Sequence, residues 1–139
     1  MADAAALAEF FESNSYHDWH GLRVTDADPD DGRAVLVLPF RAELANDDGL
    51  LHGGATATLV DVACGAAIRS TFDRPDDVSM ATTDLDVTYL RPATGDVRAV
   101  GRVERVGASM AAARTEVTSV APGGERKTVA TGSATYLRR

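Results

Sequence analysis

At 139 residues, with 45% apolar and 25% charged side chains, the chain has the length and composition of one globular domain, 1–139, able to bury a core. Its net charge of −7 argues against a nucleic-acid backbone as partner, since that binding rests on clustered cations. The single cysteine, Cys64, leaves neither a disulfide framework nor the paired spacing of a zinc site, and agrees with a reducing interior.

The opening residues, MADAAALAEFFES, hold three acids and no basic segment, unlike a secretory signal. No run of about 18 uncharged apolar residues is long enough to span a bilayer. A soluble, cytoplasmic protein is expected. Residues 3–13, DAAALAEFFES, predict a helix, with Leu7, Phe10 and Phe11 on one stripe. His17 and His20 flank Trp19 in a segment that reads as a loop, and no chemistry is assigned to them. Leu22–Val24 and Ala34–Leu38 are short β-like runs joined by ADPDDG, which predicts a hairpin stopped at Pro39. A loop, RAELANDDG, follows.

The next stretch, LLHGGATATLVDVACGAAIR, predicts a helix over 53–70 from its length and Ala content, against its β-branched Thr and Val. Apolar on nearly all sides, it should be a buried helix, and its small residues would let other backbone come close. One carboxylate, Asp61, interrupts an otherwise uncharged run from Gly53 to Ile68. A buried carboxylate costs several kcal/mol unless paired or hydrogen-bonded. Asp61 therefore asks for a purpose.

From Val78 onward the chain reads as strands. VSMATTDLDVTYL sets Leu85, Val87 and Tyr89 on one face and Asp84, Asp86 and Thr88 on the other. After the turn RPATG, DVRAVGRVERVG alternates with an irregularity expected at Gly101. SMAAARTEVTSV, the turn APGGER and KTVATGSATYLRR supply two more strands. The expected order is helix, hairpin, central helix, then a four-stranded antiparallel meander. Such an α+β chain covers one long apolar helix only if a sheet of about six strands curls round it.

That order resembles the hotdog fold, and in particular the PaaI-type acyl-CoA thioesterases of the 4-hydroxybenzoyl-CoA thioesterase-like superfamily. The resemblance covers nearly the whole chain. It is carried by Asn46, by Leu51-His52-Gly53-Gly54 entering the helix, by Asp61 eight residues past Gly53, and by ATTDLDVTYLRPATG. HGG followed by six residues and Asp, then Y-L-R-P, is its specific part; HGG alone is weak. The resemblance implies hydrolysis of an acyl-CoA to a carboxylic acid and CoA, with Asp61 as the catalytic carboxylate. It implies that the Gly53 N–H polarises the thioester carbonyl and that Asn46 and His52 line the same pocket. A hydroxyl on the following strand, Thr82 or its neighbour Thr83, would hold water or the carboxylate. The CoA tail would run near Arg102, Arg105 and Ser109. No metal or redox cofactor is implied, and the assembly implied is a homodimer or homotetramer.

The residues support that chemistry independently. Thioester hydrolysis needs a base or nucleophile and a donor for the developing oxyanion. The first N–H groups of a helix lack intrahelical partners and sit at its positive end, and Gly53 and Gly54 carry no side chain to block a carbonyl there. Eight residues of helix span about 12 Å, too far for one helix to offer donor and carboxylate to a single carbonyl. The site should therefore cross a dimer, with Asp61 and Thr82 from one chain and Asn46, His52 and Gly53 from its partner. Purely structural roles compete. Asp61 could bond Thr58 or a facing strand, Asn46 could shape a turn, His52 could mark helix entry, and the two arginines and Ser109 could be solvated strand residues. Cys64 reads as a small core residue. A hotdog dehydratase or hydratase is disfavoured because its His precedes Phe-Pro, whereas His52 precedes Gly-Gly. A non-catalytic acyl-CoA-binding module is disfavoured because binding needs no carboxylate at Asp61. The acyl group (aryl-acetyl, hydroxybenzoyl or medium fatty acyl) and the carrier, CoA or acyl carrier protein, stay open.

Arg supplies 13 of the 14 cations and Asp 15 of the 21 anions. Such a surface repels itself at low ionic strength, which fits a salt-rich cytoplasm; a GC-rich genome produces the same usage. The melting midpoint is expected to climb from low to molar KCl. A flat midpoint assigns the composition to codon usage.

Overall fold

A computed structural model describes residues 1–139. Helix α1 spans Ala4–Glu12, with the Asp3 side chain accepting from the Ala6 N–H as its cap and with Leu7 and Phe11 buried. Helix α2 spans Ser15–His20, where a loop was expected. Six residues are too few to show a helical period, but their caps are local. Asn14 accepts from the Tyr16 and His17 N–H groups, and Gly21 closes the helix at φ 80°. The hairpin forms as β1 (Arg23–Asp28) and β2 (Arg33–Leu38).

Helix α3, Gly53–Ser70, has the bounds expected from the sequence and buries twelve of its residues. Around it curls one six-stranded antiparallel sheet of β1, β2, β3 (Met80–Tyr89), β4 (Val97–Val106), β5 (Met110–Val120) and β6 (Arg126–Arg138), in the order β1-β2-β4-β5-β6-β3. The expected meander of four sequential strands is thus corrected. Only β4-β5-β6 is sequential; β3 crosses to the far edge beside β6, and β2 takes the place beside β4. The links after β3 give no sign of this in the sequence, because non-local pairing is chosen by the helix that must be covered.

The irregularity expected at Gly101 lies instead between Val103 and Arg105, and a second interrupts β3 between Thr82 and Asp84. Gly101 answers to a different demand. A Cβ there would stand 2.3 Å from the Ala63 carbonyl oxygen of α3. A Cβ on Gly132 would meet Val60 at 2.6 Å. The helix rests almost directly on the backbone of β4 and β6, and this closeness fixes how far its other side chains reach. No helix of the chain is long and apolar enough to cross a membrane.

Gly101→Ala should destabilise the protein by about 2–3 kcal/mol, the upper range for overpacking, because the obstacle is backbone rather than a movable side chain. Urea unfolding measures it. A loss below about 0.5 kcal/mol, typical of a neutral surface change, would mean that the helix can ride outward at no cost.

Candidate active site

Two chemical ends lie on α3. At its first turn, His52 is the cap: its Nδ1 accepts from the Gly54 N–H at 2.8 Å. The Ala55 and Thr56 N–H groups donate to the His52 carbonyl. The Gly53 N–H has no acceptor within the chain, so one orphan amide remains at the positive end. Tyr89 lies against it, its hydroxyl donating to the Gly53 carbonyl at 2.5 Å. The preceding loop is tied down by His52 N–H to the Leu44 carbonyl and Leu51 N–H to the Ala93 carbonyl. Asn46 shapes that loop, its Oδ1 accepting from the Asp48 and Leu50 N–H groups at 2.9 and 3.1 Å. A cavity of about 370 Å³ opens here, lined by Asn46, Gly53, Thr56, Tyr89, Arg91 and several apolar side chains. The turn role weighed for Asn46 and the helix-entry role weighed for His52 are therefore real, and Asn46 and Gly53 also line one cavity.

The second end is Asp61, two turns on and only partly buried. The Thr82 hydroxyl donates to its Oδ1 at 3.1 Å, with Oδ2 at 3.4 Å. The Tyr136 hydroxyl reaches the same Oδ1 at 2.9 Å and the Asp61 carbonyl at 2.7 Å. Burial first, then the neighbouring Asp61 carboxylate, push the Tyr136 phenol well above its ordinary value. It keeps its proton and acts as a donor. Oδ1 thus has two hydroxyls within 3.1 Å, while Oδ2 has only the longer 3.4 Å approach of Thr82. Thr83 falls at the β3 irregularity and bonds Thr135 instead, so the geometry brings Thr82 rather than Thr83 to Asp61.

Tyr136 was not singled out in the sequence. Its signal was available: a tyrosine on the core face of a strand must find a partner for its hydroxyl. The basic residues are not drawn in. Gly101 faces the helix, so Arg102 points to the outer face, where it pairs with Asp31 at 3.2 Å. Arg105 approaches Gly107 in the β4–β5 turn, and the Ser109 carbonyl accepts from the Arg138 N–H. No group of three or more His, Cys, Asp and Glu side chains gathers to hold a metal ion.

A curled sheet around a helix with a free first amide and a tethered carboxylate is the hotdog architecture of thioester-cleaving enzymes. The family model described as Thioesterase superfamily matches residues 48–126, and the chain belongs to that superfamily. It is a thioester hydrolase. Among its relatives, a Halobacterium salinarum protein named provisionally as an esterase is 42% identical over 127 residues, covering 86% of this chain and 80% of that one. The Medium/long-chain acyl-CoA thioesterase YigI of Escherichia coli K12 is 35% identical over 100 residues, or 63% of this chain and 62% of YigI. Among solved structures, a thioesterase family protein from Silicibacter pomeroyi superposes with a TM-score of 0.85 at 25% identity, covering 97% and 96% of the two chains. The E. coli PaaI protein from the phenylacetic acid degradation operon superposes at 0.78 and 20% identity, over 98% and 95%. That last likeness is one of fold.

Cys64, one turn beyond Asp61, is fully buried with Sγ 3.1 Å from the Thr115 hydroxyl. Burial pushes its thiol up to about 11, against the lowering effect of the Thr115 hydrogen bond. Because the folded value lies above the unfolded one, this contribution to stability is complete below pH 8–9 and fades as pH rises through about 11. At pH 8 roughly one thiol in a thousand is ionised. The native protein should therefore leave Ellman's reagent unreacted at pH 8 and consume one equivalent when unfolded. Rapid native reaction would show that α3 opens readily from the sheet.

Proposed function

We propose that the protein hydrolyses acyl-CoA thioesters at composite sites in a dimer, with Asp61 and Thr82 from one chain and Gly53, His52 and Asn46 from its partner. The observation that carries this reading is the separation of the free Gly53 amide from the tethered Asp61 carboxylate on one rigid helix. Eight residues of α-helix put them about 12 Å apart, whereas reacting atoms must come within roughly 3–3.5 Å.

The far edge of the sheet supports the second chain. Strand β3 is paired only with β6, and its Leu85 and Tyr89 side chains are exposed although they face the helix side. Thr82 marks the Asp61 end of β3 and Tyr89 the Gly53 end. Antiparallel pairing of two β3 edges about Leu85–Asp86 would set Thr82 of one chain beside Tyr89 of the other. The two ends of the site would then meet twice, once on each side of the two-fold axis.

In this arrangement the thioester carbonyl accepts from the Gly53 N–H, which stabilises the negative charge that develops on its oxygen. Oδ2 of the other chain's Asp61 either takes a proton from attacking water or attacks the carbonyl carbon itself. Thr82 and Tyr136 hold Oδ1 at close range and so aim Oδ2, which has only the longer Thr82 contact. His52 accepts at Nδ1, so its Nε2 carries the proton of the neutral ring and is available as a second donor at the helix entrance. CoA as the leaving group follows from the likeness to YigI; its anionic end would pass the β4–β5 turn near Arg105 and Ser109, with Arg102 held apart by Asp31. A cytoplasmic location, a dimer or tetramer, and a single catalytic domain over 1–139 belong to the same reading.

Asp61→Asn should lower kcat at least about a hundredfold, the scale of a positioned acid or base. Gly53→Pro should also inactivate, yet leave the helix intact, because proline suits the first helical position and His52, at ψ 137°, already has the backbone proline requires before it. Co-refolding equal amounts of the two inactive chains should restore about a quarter of parental activity, through one intact site in each heterodimer. Verified heterodimers that stay inactive would mean that each chain builds its own site. Near-parental activity of Asp61→Asn would remove the carboxylate from the mechanism.

A further inference from the structure

Helix α2 packs four rings into six residues. His20 is buried and stands between Tyr16 and Trp19, with ring centroids at 4.6 and 5.0 Å, and its Nδ1 lies 2.9 Å from the Tyr16 carbonyl. Arg41 closes the stack, its guanidinium 4.7 Å over the Trp19 ring, and donates to the Trp19 carbonyl. On this pedestal Tyr16 and Trp19 are 58% and 55% exposed. Two large aromatic side chains are therefore held still and left open.

The position of Tyr16 is tied to α3 by one hydrogen-bond chain. The Thr58 hydroxyl donates its single proton to the Gly54 carbonyl at 3.0 Å. Tyr16, 3.1 Å from the same oxygen, must then be the donor to Thr58. Thr58 sits one turn after Gly54 and one turn before Asp61, so the Tyr16 ring stands beside α3 one turn from the carboxylate this chain gives to one composite site and one turn from the amide end it gives to the other.

We infer that Tyr16 and Trp19 form the wall against which the acyl group lies, and that they set the acyl preference of the enzyme. This rests on the reading of Asp61 and Gly53 as the thioester site. An aromatic surface matches the apolar acyl end of the substrate and not its anionic nucleotide end. Rings already immobilised lose little freedom when they are covered. Exposed apolar surface that adjoins a site is where a ligand is expected to rest.

Trp19 is the sole tryptophan, so its emission reports this patch alone. The probes are S-alkyl thioethers of CoA, from methyl to decyl, which lack the carbonyl and cannot be hydrolysed; CoA alone is the control. Calorimetry gives affinities in parallel, and native mass gives the assembly state. Long-chain thioethers should shift Trp19 emission while CoA and the methyl thioether do not. Tyr16→Ala should weaken the decyl thioether about tenfold, the loss expected of a packed aromatic anchor, with CoA unchanged. Tyr16→Phe should stay within about twofold, since it keeps the ring. Thioethers that bind without moving Trp19 emission would overturn the inference, as would equal weakening of every ligand by Tyr16→Ala. Dissociation of the assembly by Tyr16→Ala would also overturn it, making the patch a contact between chains. If the parent hydrolyses acyl-CoAs under any of these outcomes, the proposed function stands and only the wall is lost. If it neither hydrolyses acyl-CoAs nor binds a thioether, the reading of the site fails and takes the wall with it.

Discussion

The carbonyl of Ala63 occupies the space that a side chain on residue 101 would need, and Val60 presses likewise on Gly132. Because β4 and β6 offer bare backbone at these points, α3 lies deep in the curl of the sheet. That depth has a direct effect on the site. Tyr136, rooted on β6, is long enough to pass beside Gly65 and put its hydroxyl on Asp61, while Thr82 reaches the same oxygen from the next strand. A helix riding even 2 Å higher would lose both contacts, since hydrogen bonds fail beyond about 3.5 Å. The close seating of α3 on glycine backbone in β4 and β6 is thus what gives the carboxylate its partners.

With those partners, the Asp that looked anomalous in an apolar helix becomes intelligible. A carboxylate in such a place is expensive only when it is alone. Here it is partly open to solvent and accepts from two hydroxyls, one of which burial keeps firmly protonated. The arrangement satisfies one oxygen with two hydroxyls and leaves its twin only the longer contact with Thr82. A purely structural carboxylate would gain by satisfying both.

Much of this was legible in the sequence because it is local. The bounds of α3, the β1–β2 hairpin and the glycine pair at the helix entrance are set by residues within a few positions of one another. What escaped was set from a distance or by short segments. Six residues of α2 show no period, so only its caps betray it. The crossing of β3 to the far edge has no signature in β3 itself. The irregularity after Thr82 decides which of two adjacent threonines faces the helix, and a one-residue slip reverses every such assignment. Tyr136 could have been flagged as a hydroxyl in need of an acceptor, but its acceptor lies 75 positions away.

The two ends of the site differ in how they would fare under random mutation. The carboxylate end is written in three side chains, Asp61, Thr82 and Tyr136, each of which a single substitution can erase. The amide end is written in the backbone. Every residue type but proline carries an N–H, and a Cβ added at position 53 would meet Tyr89 only at an ordinary 3.4 Å. Drift among descendants of this chain should therefore silence or retune the carboxylate end long before it touches the amide. On the proposed reading of the site, a lineage that lost hydrolysis would still inherit the unpartnered Gly53 amide as a docking point for a carbonyl, from which a binding protein or a different carbonyl chemistry could begin.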